Sequence, residues 1–161
     1  MDAHSTVSWQ DFADDAPDLA AAVRGRLEAT KHHVLATLRS DGSPRVSGTE
    51  VQFHGYDLVA GGMPGSVKGA DLRRDGRYAL HSNPGDPSMA GGDAKVSGHA
   101  IEIVDPVARA AYAGSVQPPP AFDLFSFRIG AVVHTSVHPD GDRLVIRSWR
   151  PGVGVRVVER C

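Results

Sequence analysis

The chain has 161 residues, 41% of them hydrophobic and 22% charged, with 17 basic against 19 acidic side chains and a formal charge of −2. That is the size and make-up of one globular domain with its own core, and it excludes a disordered chain. The slightly acidic balance gives no electrostatic case for nucleic acid as the partner, so an anionic ligand has to be met by a local arrangement.

No run of 18 apolar residues occurs, and the opening MDAHSTVSWQDF lacks a basic stretch followed by an apolar one, so neither a membrane span nor secretion is expected. The one cysteine is Cys161, which leaves no internal disulfide framework or cysteine zinc site and fits a reducing cytoplasm. Abundant Ala, Gly, Arg and Asp point to a high-GC bacterial source.

Residues 1–15 read as an N-terminal arm, packed onto the body by Trp9 and Phe12. A helix is expected from Asp15 or Ala16, with Pro17 in its first turn and Leu19, Val23 and Leu27 at four-residue spacing on one face. At His33 the period changes. HHVLATL is a short aliphatic strand, Ser40-Asp41-Gly42-Ser43-Pro44 is a turn by composition, and residues 45–53 return as one strand of a hairpin. On that strand Arg45, Ser47, Thr49, Val51 and Phe53 share a face. Neither face is cleanly apolar, so this one either lines a ligand groove or belongs to an exposed edge.

The rest of the chain is organised around residues 56–80, YDLVAGGMPGSVKGADLRRDGRYAL, read as strand, glycine-rich turn, short helix and strand. Gly61, Gly62 and Gly65 are expected to supply positive φ and close backbone approach, Pro64 to fix a bend after Met63, and Ser66 to cap the helix. Lys68 adds a full charge in the first helical turn. There the leading N–H groups have no intrahelical partner and the dipole is positive, so the stretch reads as an anion cradle, with a plain solvated loop as the alternative. The spacing is not that of a P-loop, because Gly61 is followed by Gly65, Ser66, Val67 and only then Lys68.

Residues 83–92 form a loop, either a lid or a wide hairpin. Residues 95–104 alternate as a strand, Asp105-Pro106 starts a brief helix ended by Gly114, and residues 118–120 are a proline spacer. Residues 122–137 are the longest β-like stretch, with Phe125, Phe127 and Ile129 on one face and Leu124 and Val132 among Ser126, Arg128 and Gly130 on the other. The mixed face has to meet a helix, solvent or a second copy. After a turn at Pro139-Asp140-Gly141 comes a final strand, residues 143–149. Its Trp149 either brings an aromatic ring towards a planar ligand or closes a barrel. His32 and His33 point to opposite faces, and His54, His81, His99 and His134 fall on or beside different strands, so no metal site is read. Six or seven antiparallel strands with few helices make this a mainly β (α+β) closed barrel with the helices outside.

The segments VLATLRSDGSP, YDLVAGG and SVKGADLRRDGRYALHS resemble the split β-barrel flavin-binding proteins related to pyridoxamine 5′-phosphate oxidase, over residues 32–104. The most specific part is Lys68, Leu72, Arg73, Arg74 and Asp75. The resemblance implies one split-barrel domain over residues 1–161, a homodimer with cofactors at its interface, and FMN or the deazaflavin coenzyme F420 as the cofactor. It implies that Lys68 contacts the cofactor phosphate, where the anion cradle also places it. Together the two readings nominate Ser47, Thr49, Gly61, Gly62, Met63, Ser66, Lys68 and Trp149 as cofactor-binding residues, with no acid or base assigned.

Four positions depart from the family pattern. Asp71 stands for Asn, Gly76 for Pro, Gly62 for a Ser or Thr that contacts the cofactor, and Glu50 for the lysine of true pyridoxamine phosphate oxidases. The last argues against vitamin B6 oxidation. Arg73, Arg74 and Arg77 either offer a basic groove to the longer tail of the deazaflavin or answer the helix dipole, and FMN, with its compact phosphate, is the first choice. The reading is a flavin- or deazaflavin-dependent oxidoreductase acting on a small substrate; its rival is a non-enzymatic carrier of flavin or haem.

Overall fold

A computed structural model describes residues 5–85 and 87–161. Ser8 caps α1 (Trp9–Asp15) through a capping box with Asp11, and Pro17 opens α2 (Pro17–Glu28). The expected N-terminal arm is thus partly helical: Trp9 and Phe12, three residues apart, turn one face of α1 into the core beside Leu19, Val23 and Leu27 of α2.

The strands are β1 (His33–Leu38), β2 (Pro44–Thr49), β3 (Gln52–His54), β4 (Asp57–Gly62), β5 (Arg77–His81), β6 (Asp93–Glu102), β7 (Asp123–Val137), β8 (Leu144–Arg150) and β9 (Gly154–Arg160). Between them lie α3 (Val67–Arg74) and α4 (Pro106–Val116). All nine strands join one antiparallel sheet in the order β2-β1-β5-β6-β7-β4-β3, with β8 against β7 and β9 against β8. This is the mainly β split barrel read from the sequence, with nine strands in place of six or seven. Residues 45–53 are not one strand, because the chain breaks at Glu50 and Val51 into β2 and β3, and β9 was not foreseen. β2 and β3 are the two ends of the strand path and do not pair, so the barrel is not closed, as the strand count suggested, but stays open along that seam.

β7 divides the barrel. It pairs with β6 along its length, with β4 from Asp123 to Phe127, and with β8 from Val132 to Val137. Against β6 the register slips at Ser97/Gly98, which leaves Gly130 as an extra residue and reverses which side chains point inward. Phe125, Phe127 and Ile129 are buried before the slip, Val132 and His134 after it, so the two continuous faces expected for this stretch do not exist. A Cβ at Gly98 would stand 2.0 Å from the Arg128 carbonyl oxygen, and glycine is required there.

The main core runs through Phe12, Val23, Leu35, Leu58, Leu80 and Phe127. Trp149 belongs to it at 3% exposure, packed on Phe12 with ring centres 4.7 Å apart and its Nε1–H donating to Asp15 at 2.6 Å. Outside the barrel, Val59, Leu124 and Tyr112 of α4 form a second small cluster, so a helix covers the other side of β7 at its start. α4 does not end at Gly114; it runs to Val116 and stops on Gln117, at φ 54 in the left-handed region. Among the described residues no helix is long and apolar enough to cross a membrane.

Candidate functional site

The open seam between β2 and β3 borders a groove of about 670 Å³, a ligand-sized volume. Gly48, Thr49, Glu50 and Gln52 line it along the seam, with Lys31 and His32 beyond them and Gly61, Gly62 and Met63 at the end of β4. Lys68 comes from α3, and Tyr112, Val116 and residues 117–119, 121 and 122 form the remaining wall.

The cradle at α3 is built as its local chemistry dictates. Ser66 sits outside the helix at φ −64 and ψ 145, and its Oγ accepts the Gly69 N–H at 3.2 Å. Of the three glycines expected at positive φ only Gly65 is, at 73°; Gly61 and Gly62 are the last residues of β4. They serve by lacking side chains instead. A Cβ at Gly61 would lie 2.7 Å from the Tyr112 hydroxyl, whereas one at Gly62 would point into open space. Lys68 reaches across the seam, its Nζ donating to the Gly48 carbonyl at 2.7 Å. Burial lowers the pKa of this ammonium and the Glu50 carboxylate pulls it back.

The arginines of α3 are committed elsewhere. Asp71, where the family resemblance expects Asn, is buried and accepts from Arg45 Nε at 2.6 Å, Thr37 Oγ1 at 2.8 Å and Arg74 Nη2 at 3.0 Å. Burial alone would raise its pKa; these three donors overcome that and hold it at about 2. Arg74 also donates to the Leu38 carbonyl. Arg73 binds Glu102 through two hydrogen bonds of 2.8 and 2.5 Å and Asp123 at 2.8 Å, contacts that raise its pKa further, while Arg77 is paired with Asp75. The basic groove that Arg73, Arg74 and Arg77 were expected to offer is therefore filled by this chain's own carboxylates.

Of the nominated residues, Thr49, Gly61, Gly62, Met63 and Lys68 line the groove together, and Ser66 lines a crevice that adjoins it. Ser47 pairs with Leu35 in the sheet and is not among the groove's lining residues. Trp149, the barrel-closing side chain, lies in the core and not at the groove. Sequence reasoning did not find Gln52 and Tyr112, which share a 3.0 Å hydrogen bond over Gly61, or the wall after α4. A tyrosine in the alanine-rich run ARAAYAG was the available signal. The histidines are held apart: His33 by the Leu27 carbonyl, His54 by Ser115, His134 by the Gly91 carbonyl and Arg147. At the β7–β8 turn His138, Asp140 and Asp142 bring possible ligand atoms together, but Arg143 already bonds into that group.

A phosphate-bearing cofactor fits what is present. The Lys68 ammonium, the Ser66 hydroxyl and the first N–H groups of α3 are donors for an anion, and the open space beside Gly62 admits a ligand, while that beside Gly61 is taken by the Tyr112 hydroxyl. No family model and no curated protein matches the sequence. Solved structures do. An FMN-binding protein related to pyridoxamine 5′-phosphate oxidase from Nostoc punctiforme is 12% identical with a TM-score of 0.61, over 91% of this chain and 96% of that one. PhzG from Burkholderia lata, solved with tetrahydrophenazine-1-carboxylic acid, is 17% identical with a TM-score of 0.56, over 94% and 88%. HutZ, a haem storage protein from Vibrio cholerae, is 11% identical with a TM-score of 0.54, over 71% and 89%. At such identities the likeness is one of fold: the chain has the split-barrel fold of the pyridoxamine 5′-phosphate oxidase-like proteins.

Proposed function

We propose that this chain is a flavin-dependent oxidoreductase that holds FMN along the β2–β3 seam, its phosphate on Ser66 and Lys68, and passes hydride to or from a small substrate in the groove. The observation that carries the reading is Lys68. It is a cation at a helix N-terminus, on a ligand-sized groove, and its one hydrogen bond among the described residues is to a carbonyl. Bound flavin supplies the hydride chemistry. The chain's residues bind and orient: Tyr112, whose phenol is kept protonated by burial with Glu50 adding to the effect, donates to Gln52 and stands over Gly61, while Met63 and Phe122 line the groove and would border a bound ring. The deazaflavin is the second choice, because the arginines that would meet its longer anionic tail are bound to carboxylates.

The working unit of this proposal is a homodimer in a reducing compartment, where the lone exposed Cys161 stays a thiol. β9 is an edge strand with six of its seven residues exposed; its Val158 shares a face with the exposed Leu144 and Val137, and its Val155 and Val157 lie on the other face. Arg150, exposed at the end of β8, is the residue this proposal extends towards a partner's groove, since Trp149 is buried in the core. Light scattering on a sizing column is expected to give twice the 17.0 kDa of one chain, and a mass of one chain with cofactor bound would remove the shared site.

A haem carrier is the second reading, favoured by the exposed His32 imidazole at the groove and by the fold shared with HutZ. Titrating the purified protein with FMN and with haemin separates the two. Flavin fluorescence quenching at micromolar FMN supports the flavin seat, and turnover of the bound flavin with added reductant and substrates supports the oxidoreductase over a flavin carrier; a Soret band lost in His32→Ala without flavin binding overturns both.

A further inference from the structure

His134 of β7, buried beyond the register slip, holds down the turn that leads into β6. Met89–Gly92 form that turn, drawn together by the Gly92 N–H, which donates to the Met89 carbonyl at 2.8 Å. The turn lies tight on β7: a Cβ at Gly92 would stand 2.2 Å from the Thr135 carbonyl oxygen and 3.0 Å from the His134 ring. Two side chains grip adjacent carbonyls of it. Arg26 of α2 donates to Ala90 at 3.1 Å, and His134 Nε2 bonds to Gly91 at 2.8 Å.

These partners fix the state of the ring. A carbonyl only accepts, so Nε2 carries the hydrogen; a guanidinium only donates, so Nδ1, which meets Arg147 Nη2 at 3.1 Å, keeps its lone pair. The imidazole is therefore neutral. A second proton, on Nδ1, would break the Arg147 bond and set two cations side by side. Arg26 on α2 adds a third, the turn residues carry no charge, and the opposing carboxylate, Asp93 on β6, is already bonded to Lys95 at 2.6 Å. Burial is the largest of these influences and, with Arg147 and Arg26, holds the pKa below its ordinary value against the Gly91 carbonyl and Asp93. Gly92 covers the ring, so lifting the turn is what brings water to an imidazolium. We infer that His134 is a proton-operated latch: as the neutral ring it holds Met89–Gly92 against β7, and acid frees the turn while the barrel stays folded. With the folded pKa depressed, the latch is complete above the ordinary value of 6.5 and is lost as pH falls through the folded one.

Amide hydrogen exchange at Gly92 and Ala94, corrected for the intrinsic rate at each pH, tests it. One proton taken up per opening should raise the opening constant about tenfold between pH 7.5 and 5.5, while the amides of β4 keep theirs. His134→Gln keeps an N–H for Gly91 and an acceptor for Arg147 but takes up no proton, so its opening constant should change less than about twofold over that range. Where that variant does not fold, an NMR titration of the wild-type ring decides: protonation of His134 should coincide with loss of protection at Gly92. A ring that protonates beneath a turn still protected overturns the inference, as does a wild-type opening constant that ignores pH. An equal rise in β4 also overturns it, because the whole barrel is then unfolding, and so does a pH dependence undiminished in His134→Gln.

Discussion

Helix α3 carries cations at both ends, and the fold treats them in opposite ways. At the C-terminal end Arg73 and Arg74 are tied, with Arg45, into the carboxylates of Asp71, Glu102 and Asp123. At the N-terminal end Lys68 meets the Gly48 carbonyl, and its charge faces the groove. The first set joins α3 to β1, β2, β6 and β7 and acts as structure. The second is half-desolvated without a carboxylate bonded to it, an arrangement that costs stability and is characteristic of binding sites. Counting basic residues on a short helix does not reveal a basic groove; their partners do.

The contrast breaks most visibly at Asp71. Asp71→Ala strips Arg45, Arg74 and Thr37 of a shared partner and is expected to cost about 3 kcal/mol, near the low end for a broken buried pair because Arg74 is 40% exposed. The shift in urea midpoint measures it, and a loss below about 1 kcal/mol would mean that the cluster is not structural. Lys68→Ala should do the reverse. FMN binding weakens by roughly 10- to 150-fold, the worth of a charge-assisted hydrogen bond, while the urea midpoint barely moves. An unchanged dissociation constant for both FMN and the deazaflavin would show that Lys68 is not the phosphate contact.

Acid sharpens the same comparison. The Asp71 carboxyl has its folded pKa depressed from 3.8 to about 2, so its contribution is complete above pH 3.8 and disappears as pH falls through about 2. The expected loss is about 2 kcal/mol, a step that Asp71→Asn should lack when both proteins are melted across that range. The smallest effect belongs to Arg74→Gln, which should leave binding of FMN and of the deazaflavin within about twofold. A marked loss of deazaflavin binding would return Arg74 to the groove.

Much of this was legible locally. The Ser66 cap, the Lys68 charge, the Pro17 helix start and the buried stripe of Leu19, Val23 and Leu27 each depend on residues within one or two turns of one another, and the barrel class follows from short apolar runs between turns. β9 escaped because Val155, Val157 and Val158 lie among charged residues and bury almost nothing within the chain, so no alternation marks it. The split of residues 45–53 and the face reversal at Gly130 escaped because bulges and breaks are set by the partner strand.

By itself the sequence determined that a capped helix with a lysine in its first turn follows a glycine-rich strand end inside a mainly β domain, since caps, turns and strand period are short-range. Tertiary structure alone decided which cations are available and which are bound. Arg45 finds Asp71 across 26 residues and Arg73 finds Glu102 across 29, distances at which spacing carries no signal. It likewise decided that Tyr112 stands over Gly61, 60 residues from its partner Gln52, because such a contact exists only once the barrel mouth has brought β4 and α4 together.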